Sequence, residues 1–139
     1  MLVEDLMRMD VVSVSVTATV QQVAKTLLER RIGSVIVRST ERVPVGIVTT
    51  TDILEAGIER ERPLADIPAA EYMSRPLLTI EADDSVRKAV NTMNDERIEQ
   101  LVIVTEYDVA GVIAMTDILR AYEEIIQEAH DAEQPPSWW

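Results

Sequence analysis

Apolar and polar positions follow two rhythms along the chain, and the same succession of rhythms occurs twice. Val11-Val12-Ser13-Val14-Ser15-Val16 alternates with period two, which predicts a half-buried strand. Apolar residues then fall at Val20, Val23, Ala24, Leu27 and Leu28, the three-and-four spacing of an amphipathic helix. Thr19 with Gln22 three residues on predicts a capping box at its start, and Gly33 predicts its stop. Val35-Ile36-Val37 reads as a short buried strand and Ser39 to Pro44 as a polar turn. Val45 to Val48 is then the returning strand of a hairpin. Thr50 or Thr51 would cap a second helix running through Leu54.

The second pass repeats each step. Leu77-Leu78-Thr79-Ile80 is the strand and Ser85 the cap. Val86, Ala89, Val90 and Met93 form the apolar stripe, with Ile98 at its end. Leu101 to Val104 and Ala110 to Ile113 form the hairpin, with Glu106-Tyr107-Asp108 in its turn. Thr116 starts the last helix, which can extend through Ala121, Ile125 and Ala129. Each copy therefore has the order β-α-β-β-α.

The likeness extends to the letters. Gly46-Ile47-Val48-Thr49-Thr50-Thr51-Asp52-Ile53-Leu54 returns as Gly111-Val112-Ile113-Ala114-Met115-Thr116-Asp117-Ile118-Leu119. Arg31-Ile32-Gly33-Ser34-Val35-Ile36-Val37 returns as Arg97-Ile98-Glu99-Gln100-Leu101-Val102-Ile103. A unit this long is not a solenoid repeat but a small folding unit used twice, which directs attention to what the copies form together. The expected boundaries are 1–58 for the first repeat, 59–70 for a charged, proline-containing linker, 71–130 for the second repeat and 131–139 for a tail. The tail ends in Trp138-Trp139, which would either fray or dock on a neighbouring subunit or partner.

Bulk properties narrow the function. With 139 residues and 47% hydrophobic content the chain can build one shared core. No apolar run approaches the roughly 20 residues needed to span a bilayer, and Met1-Leu2-Val3-Glu4-Asp5 has no basic signal-peptide region. Cysteine is absent, which removes disulfides, thiolate zinc sites and cysteine nucleophiles. A cytoplasmic protein is expected. The net charge of −12 argues against binding nucleic acid through its phosphates. Lys25 and Lys88 are the only lysines beside eleven arginines; scarce lysine and acidic excess fit either adaptation to high salt or an ordinary acidic cytosolic protein.

The pattern resembles a tandem CBS-domain protein, or Bateman module. The two β-α-β-β-α units carry the resemblance, together with the signature Gly-hydrophobic-x-hydrophobic-Thr-x-x-Asp-hydrophobic. Gly46 to Ile53 matches the signature fully; Gly111 to Ile118 departs from it at Ala114, where the family usually has Ser or Thr. The resemblance covers about residues 2 to 125. It implies an α+β fold in which the two repeats pack with pseudo-two-fold symmetry into one module. It also implies two clefts, each lined by the Thr-x-x-Asp segment of one copy and the first strand of the other. Such clefts often bind AMP, ADP, ATP or S-adenosylmethionine-type compounds, and such modules tend to form homodimers.

Under that resemblance Thr49, Asp52, Leu78, Thr79, Ile80 and Ile98 would line the first cleft. Val12, Ser13, Val14, Ile32, Thr116 and Asp117 would line the second. A carboxylate can accept two hydrogen bonds from vicinal ribose hydroxyls, and free N–H groups at a helix start suit phosphate. A carboxylate in the first turn also has a purely structural use, since it favours the helix dipole. Ala114 removes a hydroxyl and Glu99 adds negative charge, so the Asp52 cleft should suit an anion better and the Asp117 cleft a less charged ligand. Arg31, Arg38 and Arg97 are candidate counter-charges for phosphate.

No chemistry is expected. His130 stands alone, no nucleophile has a base beside it, and no carboxylates show metal-ligand spacing; Asp83-Asp84 reads as charge at a helix start. The glycines form no phosphate-cradling loop, and no cofactor is called for. Two functions remain. One is a regulatory module that senses an adenosine-containing metabolite and signals to an effector protein. The other is a constitutive dimeric interaction scaffold with vestigial clefts.

Overall fold

The computed structural model describes residues 1–59, 61–106 and 108–132. Arg60 of the linker, Tyr107 of the second hairpin turn and the Trp138-Trp139 tail lie outside the described residues. The element order is the one the pattern predicts. The first copy contains β1 (Ser13–Ser15), α1 (Val20–Arg30), β2 (Ser34–Arg38), β3 (Pro44–Thr49) and α2 (Thr50–Glu59). The second contains β4 (Thr79–Glu81), α3 (Val86–Glu96), β5 (Gln100–Val104), β6 (Val109–Ala114) and α4 (Met115–Ala132).

Each copy builds a three-stranded mixed sheet, β1-β2-β3 or β4-β5-β6. The first strand pairs parallel and the hairpin antiparallel, with matching registers: Val14 faces Val37 as Ile80 faces Ile103, and Val35 faces Val48 as Leu101 faces Ile113. The first strands are shorter than their alternation suggests. Three residues of each have ladder partners, so Val12 and Leu78 precede their strands rather than belong to them.

Capping explains where the helices begin. Thr19 Oγ1 accepts from Gln22 N at 3.2 Å while Gln22 Oε1 accepts from Thr19 N at 2.9 Å, the reciprocal box its spacing predicts. Ser85 Oγ accepts from Lys88 N at 3.0 Å. The stop at Gly33 is corrected. Both α1 and α3 end on arginines in the left-handed conformation, Arg31 at φ 54° and Arg97 at φ 55°, whose N–H groups donate to Leu27 O and Met93 O. A non-glycine residue there costs of order 1 kcal/mol, and the backbone bonds that close the turn hold it in place.

The compact units exchange ends relative to the repeats. One unit is residues 11–78; the other joins residues 1–10 to 79–139. Two short 3-10 turns make the exchange, Val3–Asp5 and Ala69–Glu71. They are counterparts, 66 positions apart (69 − 3). Each lead-in docks on the cap of the helix in its unit: Leu2 bridges to Ser85, and Pro68 to Thr19. In the 11–78 unit the lead-in completes the core. Ala69 is buried with Val23, Leu27, Val35, Val37 and Val48, and Ile67 with Val20 and Ala56. Val3 is fully buried in the other unit. Among the described residues, no helix is long and apolar enough to cross a membrane.

Candidate functional site

Each hairpin runs directly into a helix, and both predicted aspartates sit in that helix's first turn. β3 ends at Thr49 and α2 starts at Thr50. Thr49 N and Thr49 Oγ1 both donate to Asp52 Oδ2, at 2.8 and 3.1 Å, and Asp52 N donates to Thr49 Oγ1 at 3.4 Å. Thr49 and Asp52 therefore form a capping box, so the cap is Thr49 and not Thr50 or Thr51. Thr50 N instead donates to Gly33 O at 3.1 Å, tying the helix start to the loop after α1. Asp52 is half-buried, and among the described residues its second oxygen, Oδ1, accepts no hydrogen bond and meets no cation.

The second corner has the same backbone and a different side-chain arrangement. Met115 N donates to Glu99 O at 2.8 Å, and Ala114 N to Asp117 Oδ2 at 2.9 Å. Ala114 has no hydroxyl to return the bond, so the cap is half a box. The Asp117 side chain is 9% exposed and flanked by two guanidinium groups, Arg8 Nε at 3.4 Å from Oδ2 and Arg120 Nη1 at 3.9 Å from Oδ1. Helix start and cations together hold its negative charge.

Arg8 is the residue that the pattern of motifs does not reveal. It belongs to the lead-in and forms a two-bond antiparallel bridge with Val112: Arg8 N donates to Val112 O at 2.9 Å and Val112 N to Arg8 O at 3.0 Å. Ser74 takes the same position in the other unit. Ser74 N donates to Ile47 O at 2.8 Å and Ile47 N to Ser74 O at 3.1 Å. The signature glycines permit this approach. A Cβ on Gly111 would lie 2.7 Å from Arg8 O, and one on Gly46 2.7 Å from Met73 Sδ and 3.0 Å from Ser74 O. The recurring Met7-Arg8 and Met73-Ser74 is the sequence feature that could have drawn attention to this pair.

The other candidate residues divide between the units. Val12, Ser13, Val14, Ile32, Thr49, Asp52 and Leu78 lie in the 11–78 unit; Thr79, Ile80, Ile98, Thr116 and Asp117 lie in the other. β1 and β4 are edge strands of their sheets. The Ile80 side chain is buried in its own core, while Thr79 and Thr116 are exposed and Ile32 and Ile98 half-buried. Ser13 Oγ accepts from Arg38 Nε at 3.0 Å, and Arg38 Nη1 donates to Arg42 O at 3.0 Å, so Arg38 braces β1 against the hairpin turn. Arg31 and Arg97 are exposed at their helix ends. Among the described residues no cluster of His, Asp and Glu has the arrangement to hold a metal.

A family model described as CBS domain matches the chain twice, over residues 3–59 and 69–124. The chain belongs to the CBS domain family. Both matches begin on the equivalent lead-in residues, Val3 and Ala69, so each family repeat includes the segment that the compact units exchange. An uncharacterised protein of Methanopyrus kandleri is 33% identical over 119 residues, which are 85% of this chain and 61% of that protein. The chain spans about three-fifths of the length of the first curated relatives it matches. A CBS domain protein from Pyrobaculum aerophilum, solved in complex with AMP, has a TM-score of 0.75 at 28% identity, covering 84% of this chain and 89% of that one. A CBS domain pair solved with 5′-methylthioadenosine and S-adenosyl-L-methionine has a TM-score of 0.79, covering 89% and 97%. At 23% identity that likeness is one of fold.

Proposed function

We propose that this CBS pair is a regulatory module that binds an adenosine-containing metabolite at the Thr49–Asp52 corner and passes the bound state to a partner protein. The observation that carries the reading is the state of Asp52. One carboxylate oxygen is fixed by Thr49, which orients the group, and the other accepts nothing from the described residues. A fixed carboxylate with an open oxygen suits a ribose diol, and the start of α2 beside it suits a phosphate. The AMP bound by the Pyrobaculum relative supports the same ligand class here. Leu78, in the same unit, would supply a further contact to that ligand. A difference of about 1–3 kcal/mol in ligand affinity between two states of the module is enough to transmit a signal.

Thermal unfolding with AMP, ADP, ATP and S-adenosylmethionine, on the wild type and on Asp52→Asn, tests the reading. Asparagine keeps an oxygen for the cap and removes the charge. A ligand at 100 times its Kd stabilises by about 2.7 kcal/mol, and Asp52→Asn should lower affinity about tenfold to a hundredfold, as expected when a hydrogen bond to a charged group is weakened. No shift with any of the four compounds would sink it.

One feature favours the second reading, a constitutive dimeric scaffold. Leu54 and Ile58 on α2 and Leu119 and Tyr122 on α4 are large and exposed, at 63%, 84%, 54% and 50%. Apolar surface of this kind on two related helices suits self-association. A dimer that forms at the same concentration with and without AMP would favour the scaffold.

A further inference from the structure

The two aspartates share a backbone setting and differ in what faces them. Ile47 precedes Asp52 by the same step as Val112 precedes Asp117, and each is bridged by a lead-in residue through the same two hydrogen bonds. At that lead-in position one unit has Ser74 and the other Arg8. The arginine reaches the carboxylate of its unit; the serine forms no bond with Asp52. Arg8 Nε is itself buried and has no hydrogen-bond partner among the described residues, so the ionic contact with Asp117 is what compensates it.

We propose that Arg8 is the specificity-determining residue of the module: it occupies the Asp117 carboxylate from within the chain, so that one adenosine-type ligand binds per chain, at Asp52. This rests on the ligand class proposed above. A ribose approaching Asp117 has to displace Arg8, leaving a buried guanidinium nitrogen without its counter-ion, whereas Asp52 Oδ1 offers an acceptor that no described residue occupies.

The test is the AMP capacity of the wild type, Arg8→Ser and Ser74→Arg by isothermal titration calorimetry, with folding checked by circular dichroism. Arg8→Ser gives the second unit the residue of the first; Ser74→Arg does the reverse at an exposed position whose bridge is made by backbone atoms. The expected capacities are one AMP for the wild type, two for Arg8→Ser with the new event weaker because Ala114 has no hydroxyl, and none for Ser74→Arg. Two AMP per wild-type chain, a single event in folded Arg8→Ser, or loss of an event in it overturns the role of Arg8 and leaves the ligand class intact. If Arg8→Ser does not fold, undiminished binding by Ser74→Arg overturns it. No AMP bound by any of the three overturns the ligand class, and the inference with it.

Discussion

The two hairpin-to-helix corners differ at two positions that matter. Thr49 against Ala114 decides whether the cap is a full box or half of one. Ser74 against Arg8 decides whether, among the described residues, the carboxylate lacks a cation or faces a guanidinium. A duplicated unit thus places its two carboxylates in different settings by changing residues outside the aspartate itself. Asp117 closes an ion pair on its helix start. Asp52 is oriented by the same fold, and among the described residues one of its oxygens accepts no bond. The sequence contrast of Gly33 with Glu99 is a further difference between the corners, but Arg8 is what separates them physically.

The lead-ins differ too, and the largest predicted effect lies there. Ile67 is fully buried against Val20 and Ala56, while its counterpart Met1 is 51% exposed. Ile67→Ala should cost about 2–5 kcal/mol, the range for removing a large aliphatic group from a packed core. Urea unfolding would measure it. A cost below 1 kcal/mol would mean that the 11–78 unit does not depend on the linker for its core, and the contrast between the lead-ins would collapse.

A smaller effect separates the two signature glycines. At Gly111 an added methyl meets Arg8 O at 2.7 Å, and that carbonyl is pinned by the bridge to Val112. At Gly46 the closest atom is the end of Met73, which can rotate away, although Ser74 O lies at 3.0 Å. Gly111→Ala should therefore destabilise by about 1–3 kcal/mol, as overpacking does, and Gly46→Ala by less. Equal costs would show that the methionine is as immobile as the carbonyl.

The order of elements in each repeat and the caps at Thr19 and Ser85 were legible because each has a local pattern: alternation, three-and-four spacing, or a hydroxyl three residues before its partner. The helix stops were not. Gly33 and its neighbours suggested a glycine turn, yet Arg31 and Arg97 take the left-handed position, since backbone bonds to Leu27 and Met93 outweigh the local cost. Nor was the Asp117 ion pair. Arg8 and Asp117 lie at opposite ends of the chain, and only the exchange of lead-ins brings them together. Arg38 illustrates the same limit: a free-looking cation in the sequence is a brace between β1 and a turn in the structure.

The exposed faces of α2 and α4 offer a gentler comparison. Gly57 lies inside α2 with nothing within 4 Å of an added Cβ, and its counterpart in α4 is Tyr122. Gly57→Ala should stabilise by about 0.5–1 kcal/mol through reduced backbone freedom in the unfolded chain. If the substitution instead destabilises, and more so as protein concentration rises, then α2 is packed closely at Gly57 by a second copy, and the dimer gains support.

The smallest effect is an acid sensitivity confined to one unit. Asp84 Oδ2 accepts from Glu81 N at 2.9 Å and Oδ1 from Lys88 Nζ at 3.1 Å, while the counterpart of Asp84 in the first repeat is Ala18. The backbone bond from Glu81, with the hydrogen bond from Lys88 behind it, holds the Asp84 carboxyl below its ordinary value of 3.8. A carboxyl whose pKa is lowered in the folded state contributes stability that is present above 3.8 and is lost as pH falls through the lowered value. Asp84→Asn should therefore be less stable than wild type near neutral pH, and the two should converge in acid below 3.8. The Asp84 carboxylate is half-buried and its partner Lys88 is exposed, so the gap should be small and shrink with added salt. Urea midpoints for both proteins across that range decide it, and a gap that persists in acid would mean the asparagine fails through the Glu81 hydrogen bond rather than through charge.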